Sequence, residues 1–131
     1  MPSPASNVAL VLVDHGSRQE AANAALERVA RELADLATDR YVAVFAAHME
    51  IAAPSLADAF DLAVASGADF VVVALYFLAP GRHSEHDVPR LAAEAAARHP
   101  GLGFAVTSAL GPHRALADLV LERAGEVHPF G

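Results

Sequence analysis

The chain is 131 residues long, 54% hydrophobic and 19% charged, with no cysteine and a formal net charge of −7. That length suits one domain with a real core, and the composition excludes a disordered chain. The lack of cysteine removes disulfides, thiolate metal sites and a cysteine nucleophile together, so any metal must be met by His, Asp or Glu. The acidic balance argues against a nucleic-acid partner. All nine basic residues are arginines, which leaves no phosphate-loop or Schiff-base lysine, and no nucleotide cofactor is expected. No apolar run approaches the roughly 20 residues that span a bilayer, so no membrane partner is expected either. The opening MPSPASN has no basic region ahead of an apolar core, and the cytoplasm is the expected compartment.

In chain order, residues 1–7 are expected to form a disordered tail, 8–125 a single α/β domain and 126–131 a second tail. VALVLVD, residues 8–14, reads as a first strand running into His15-Gly16-Ser17-Arg18. Ser17 and Glu20 have the spacing of a capping box and predict a helix from that point. Its apolar face would carry Leu26, Val29, Ala30, Leu33 and Leu36. Residues 41–47 read as a second strand, followed by His48-Met49-Glu50. A second helix is predicted from Pro54-Ser55, with Leu56, Phe60, Ala63 and Val64 inward and Gly67 as its stop.

Residues 71–78 form a β-branched run that predicts a strand buried on both faces. It breaks at Pro80-Gly81 and delivers Arg82, His83, Glu85, His86 and Asp87 within six residues. Asp87 is predicted to cap a third helix over 88–99, with Val88, Leu91, Ala92 and Ala95 buried. A weaker fourth strand over 104–110 and a last helix over 112–124, carrying Leu116, Leu119 and Val120, complete the pattern.

Strands alternating with helices predict an open parallel four-stranded sheet with helices on both faces. Right-handed crossovers then favour the flavodoxin-like order 2-1-3-4, whose winding reverses between the first and third strands. Ligands bind at such a reversal, outside the carboxyl ends of the strands. His15 follows the first strand, Glu50 the second and His83 the third, so three potential metal ligands converge on one rim. A lone histidine after a strand is more often a hydrogen-bonding residue than a ligand. It is the convergence of separate loops that singles these out. His48, His99, His113 and His128 read as structural, and His86 as a solvated loop residue. Four helix N-termini, with Arg18, Arg82, Arg90 and Arg114 close by, favour an anionic ligand rich in carboxylate or phosphate.

Three motifs, each after its strand, carry a family resemblance. His15-Gly16-Ser17-Arg18, then Met49-Glu50 with Pro54-Ser55, then Tyr76-Phe77-Leu78, Gly81, His83 and Asp87-Val88-Pro89 resemble the small sirohydrochlorin chelatases. These are the cobalt- and iron-inserting members of the class II chelatase group, and the resemblance covers residues 8–124. It implies insertion of a divalent metal into sirohydrochlorin, an octacarboxylate tetrapyrrole, without ATP, on the way to sirohaem or cobalamin. It also implies that His15 and His83 share metal delivery and proton acceptance, with Glu50 removing protons or binding the metal. Ser17, Arg18 and Arg82 would face substrate carboxylates. Long members carry two tandem copies. This chain has one copy and no internal repeat, which implies the short form and a homodimer. Leu75 and Ser84 stand where a proline and an aliphatic residue are common, and neither is a proposed ligand.

Imidazole and carboxylate tolerate Co2+, Fe2+ and Ni2+ alike, so the ligand set does not choose the metal. Imidazolium cannot ligate, so activity is expected to fall on acidification. A non-catalytic metal or tetrapyrrole carrier would use the same residues. A hydrolase with a metal-bound water is another reading. A phosphohistidine phosphotransferase is disfavoured, because Arg18 follows the His-Gly pair instead of preceding it.

Overall fold

In the computed structural model, which describes residues 7–129, Val8–Asp14 forms β1 and lies between two parallel neighbours. Ala43–His48 (β2) pairs on one side and Phe70–Leu75 (β3) on the other, and Gly103–Val106 (β4) extends the sheet beyond β3. The order is β2-β1-β3-β4, as the alternation of elements predicts. Ala9, Val11 and Val13 of β1 are wholly buried, the signature of a central strand covered on both faces.

Period-two alternation sorts the strand residues between two cores. On one face Leu10, Leu12 and Ala46 meet Leu26 and Ala30 of the helix Glu20–Leu36 (α1). On the other, Val11, Val13, Val71 and Val73 meet the helices Leu56–Ala65 (α2) and Val88–Ala97 (α3). Phe60 of α2 is fully buried there and stands edge-on to Phe104 of β4 at 6.4 Å. Burying a side chain of that size contributes about 1.5–3 kcal/mol relative to leaving it in water. The last helix, Arg114–Glu126 (α4), buries none of its residues. Among the described residues no helix is long and apolar enough to cross a membrane.

Several boundaries differ from the sequence expectation. α1 begins at Glu20, with Gln19 at the N-cap and no side-chain cap. Ser17 is engaged elsewhere: its N–H donates to Asn23 Oδ1, its carbonyl accepts from Asn23 Nδ2, and its hydroxyl accepts from Gln19 N–H. A capping box does form at α2, where Ser55 and Asp58 exchange bonds reciprocally. β3 stops at Leu75 because β1 turns away after Asp14. Tyr76 N–H still reaches Val13 O, and beyond it Phe77 O accepts from Leu110 N–H instead. β4 ends at Val106, short of the expected 110. Asp87 does not cap α3: its backbone is already helical and it makes no side-chain cap bond. It closes a wide turn, His83–Asp87, that runs straight into α3, so no helix start remains there to be capped. Leu36, expected on the apolar face of α1, is 80% exposed, since the last turn of the helix overhangs the sheet. The expected tails fall largely at the limits of the description. Residues 1–6 and 130–131 lie outside it, and α4 runs on to Glu126.

Far from the rim, Asp61 of α2 ties the end of α3. It accepts from His99 Nε2 at 2.7 Å and from Arg98 at 3.0 Å. The His99 hydrogen bond, aided by Arg98 and opposed by desolvation, holds the Asp61 carboxyl below its ordinary range. A carboxylate depressed by folding stabilises the fold above its unfolded pKa of about 3.9 and loses that contribution as pH falls through the lower folded value. Asp61→Asn should therefore lower the Tm near neutrality, and the deficit should shrink below about pH 4. Thermal melts across that range check it. A deficit that stays constant down to the acid end would show that the charge does not tie α2 to α3.

Candidate active site

β1 and β2 end level, with Asp14 opposite His48, and the ladder continues one step beyond them. Met49 N–H donates to Asp14 O at 2.9 Å and Glu50 N–H to His15 O at 3.2 Å. These bonds set His15 and Glu50 side by side at the carboxyl edge of the sheet, and their side chains meet, Nε2 to Oε1, at 3.0 Å. Their side chains are 43% and 59% exposed, so a solvent-borne ligand can reach both. An imidazole and a carboxylate at this distance can hold a borderline divalent metal or move a proton.

The turns that carry the pair are tightly built. Gly16 has φ +94°, and a Cβ there would sit 2.0 Å from Glu50 O. The position thus demands glycine for its conformation and again for its space. On the other turn Glu50 O accepts from Ala52 N–H at 2.8 Å, around Ile51 with φ +74°. A β-branched residue in the left-handed region is strained, and strain of this kind persists only where its surroundings impose it.

Beneath the pair lies a second one. His48 Nδ1–H donates to Asp14 Oδ1 at 2.5 Å, and the same oxygen accepts from Gly16 N–H at 3.0 Å. His48 is wholly buried, and its Nε2 is the buried side-chain polar atom that, among the described residues, has no hydrogen-bond partner.

The third loop leaves β3 at Tyr76. Thr107 Oγ1, beyond β4, accepts from Leu75 N–H. Ser84 is buried and staples the turn: its Oγ donates to Gly81 O at 3.0 Å and accepts from Gly81 N–H at 2.9 Å. The backbone of Arg82 and His83 is enclosed by that staple. His83 opens the turn His83–Asp87; its side chain, expected to join His15 and Glu50, lies outside the described residues.

The expected site residues divide accordingly. His15 and Glu50 are in contact. Ser17 and Arg18 line a hollow shared with Asn23 and Ile51, on the α1 side of the pair. Arg82 lines a different hollow with Pro80, Glu85 and Asp87. Arg90 and Arg114 turn away to Glu94 and Asp118, one turn along their own helices. His113 caps α4 by accepting from Ala115 N–H, and His99 pairs with Asp61. Among the described residues no cluster of three His, Asp or Glu side chains is poised to hold a metal. Sequence reasoning missed the Asp14–His48 pair. Its trace was present: one polar residue closing each apolar strand, at opposite positions of a parallel ladder.

A doubly wound parallel sheet with an accessible imidazole–carboxylate pair at its switch point defines a domain suited to a divalent metal or to proton transfer. Comparison with known proteins narrows the class: residues 9–127 match the CbiX family, and the chain belongs to it. It is similar to the sirohydrochlorin ferrochelatase, chloroplastic, of Arabidopsis thaliana, with 44% identity over 114 residues, 87% of this chain and 50% of that protein. It is also similar to the sirohydrochlorin cobaltochelatase of Methanopyrus kandleri, at 36% over 84 residues, 64% of this chain and 57% of the relative. The chain thus spans about half the length of the curated relatives it matches. Among solved structures, a CbiX protein from Marinobacter aquaeolei superposes with a TM-score of 0.68 at 27% identity, covering 91% of this chain and 95% of that one. SirB from Bacillus subtilis with Fe3+ gives 0.80 at 22% identity, covering 93% of this chain and 48% of SirB, a likeness of fold.

The Gly16 geometry makes a sharp contrast with Gly125, where a Cβ would meet nothing within 4 Å. Gly16→Ala should destabilise the protein by about 1–3 kcal/mol. Gly125→Ala, inside exposed α4, should stabilise it by up to about 1 kcal/mol. Urea unfolding of both variants checks the two signs together.

Proposed function

We propose that the chain inserts a divalent metal, cobalt or iron, into sirohydrochlorin without ATP, as a lyase of sirohaem or cobalamin biosynthesis. The observation that carries this reading is the accessible His15–Glu50 pair at the switch point. The chelatase names of the relatives support it. Metal and tetrapyrrole are both substrates here, and no nucleotide takes part.

Insertion requires the ion to shed water and the macrocycle to lose two pyrrole protons. A ligand set of two or three side chains leaves coordination positions open to water, which the pyrrole nitrogens then take as the side chains let go. A closed four-ligand site would compete with the product instead of delivering to it. His15 and His83 lend lone pairs to the incoming ion and then accept protons, with Glu50 as their carboxylate partner. The two protons displaced by M2+ are thus taken up beside the site, and charge balances. Arg18 and Arg82, with Ser17, are placed in this reading to meet substrate carboxylates from the two hollows. Ni2+ is accommodated by the same donors.

We further read the working form as a homodimer of single-copy units spanning residues 8–125, in the cytoplasm, although the plant relative is chloroplastic by name. α4 exposes Leu119, Val120 and Leu121. The α1 side of the sheet leaves Phe70, Val72 and Ala74 only partly covered. A second copy supplies apolar surface for both. Val120→Asp combined with Leu121→Asp should convert the protein to monomer by light scattering. A dimer that persists in this variant rules out α4 as its seam.

A metal or tetrapyrrole carrier would use the same residues but give no acceleration over insertion in free solution. Initial rates with Co2+ and Fe2+, with and without protein, separate the two. His15→Ala and His83→Ala should each lower the rate at least about tenfold in folded protein, given the 10²–10⁴-fold typical of positioned acid–base groups. His99→Ala should leave it near normal. Near-normal rates in either of the first two variants end the assignment.

A further inference from the structure

We propose that the buried Asp14–His48 pair is a positioning element: it locks the β1 and β2 turns together so that His15 and Glu50 meet. The inference rests on the reading of those two residues as the groups that handle the metal. Asp14 immediately precedes His15, and His48 lies two residues before Glu50. One carboxylate oxygen, Asp14 Oδ1, accepts from His48 Nδ1 on one strand and from Gly16 N–H on the turn that carries His15. A single atom therefore fixes both turns.

The burial argues for the same role. His48 is wholly buried, so it does not touch substrate. As packing alone it would be a poor choice, since its Nε2 finds no partner and a leucine or phenylalanine would fill the space without an orphaned nitrogen. What the imidazole adds is the Nδ1–H bond to Asp14. The need for such a bond is plain from the setting. β2 is the outer strand of the sheet. Its end is followed by strained Ile51, and its opposite edge is held at His48 by Pro54 O. A turn under strain keeps its shape only if its anchors are firm.

Four variants test this. Asp14→Ala removes the shared acceptor, and Asp14→Asn keeps an oxygen there. His48→Leu fills the space without a donor, and His48→Asn keeps a donor at the Nδ1 position. The readouts are kcat and KM for insertion, Co2+ affinity by titration, and folded fraction by circular dichroism. Asp14→Ala and His48→Leu should lower kcat and Co2+ affinity about tenfold or more, with KM for the tetrapyrrole little changed, as is typical when supporting partners of a metal site are lost. The two Asn variants should recover most of both. In a Glu50→Ala background, Asp14→Ala should have little further effect on Co2+ affinity, because one of the positioned groups is gone. Folded Asp14→Ala or His48→Leu protein with unchanged kcat and affinity overturns the proposal, as does an undiminished Asp14→Ala effect in the Glu50→Ala background. Should Asp14→Ala not fold, His48→Leu against His48→Asn decides. If the unmodified protein fails to accelerate insertion, the chelatase reading falls alone, and the positioning claim is still judged on Co2+ affinity.

Discussion

Everything at the rim follows from the register between β1 and β2. The two strands run parallel with Asp14 opposite His48, and one further ladder bond places Glu50 beside His15. A slip of one residue would move one turn by about 3.3 Å and send its side chains to the opposite face of the sheet. The imidazole and the carboxylate would then be separated by the sheet itself. The geometry of the rim thus depends on the same hydrogen bonds that build the core, and on apolar packing of β1 against both faces to hold them.

The rim is open and does not enclose a ligand on its own. Its two contacting groups are about half exposed, and the turns carrying them are short, with glycine at the point of closest approach. Such a place is open to solvent and encloses little. The hollow with Arg18 also carries Glu20 and Glu27, and the one with Arg82 also carries Glu85 and Asp87, so each mixes both signs of charge.

Much of this was legible in the residues. The β1 boundaries and the sheet order follow from apolar runs, their alternation with amphipathic stretches, and the crossover rule; those give a shared rim for the loops after the strands, while the His15–Glu50 contact is a detail of register. The strand ends were not legible, because Phe77 and Leu110 are apolar and read as strand. What ended each strand was the length of its neighbour, a tertiary fact. Ser17 and Ser55 show the same limit from the other side: both have an acidic residue three positions on, but Asn23 takes Ser17 first. Leu36 of α1 read as part of a buried face, since periodicity reports that a face exists without saying whether this chain covers it. His48 read as structural, but its pairing with Asp14 went unread because a polar residue at a strand terminus is ordinary until its partner across the ladder is known.

Ile51 carries a final consequence. A residue whose backbone would be relaxed as glycine or asparagine, placed directly after Glu50, is where a search for thermostable variants will first find easy gains. Those gains would release the tension that shapes the turn after Glu50, so durability and the form of the rim pull against each other at that single codon. Attempts to harden this scaffold are better directed to exposed α4, where the backbone serves no reactive group.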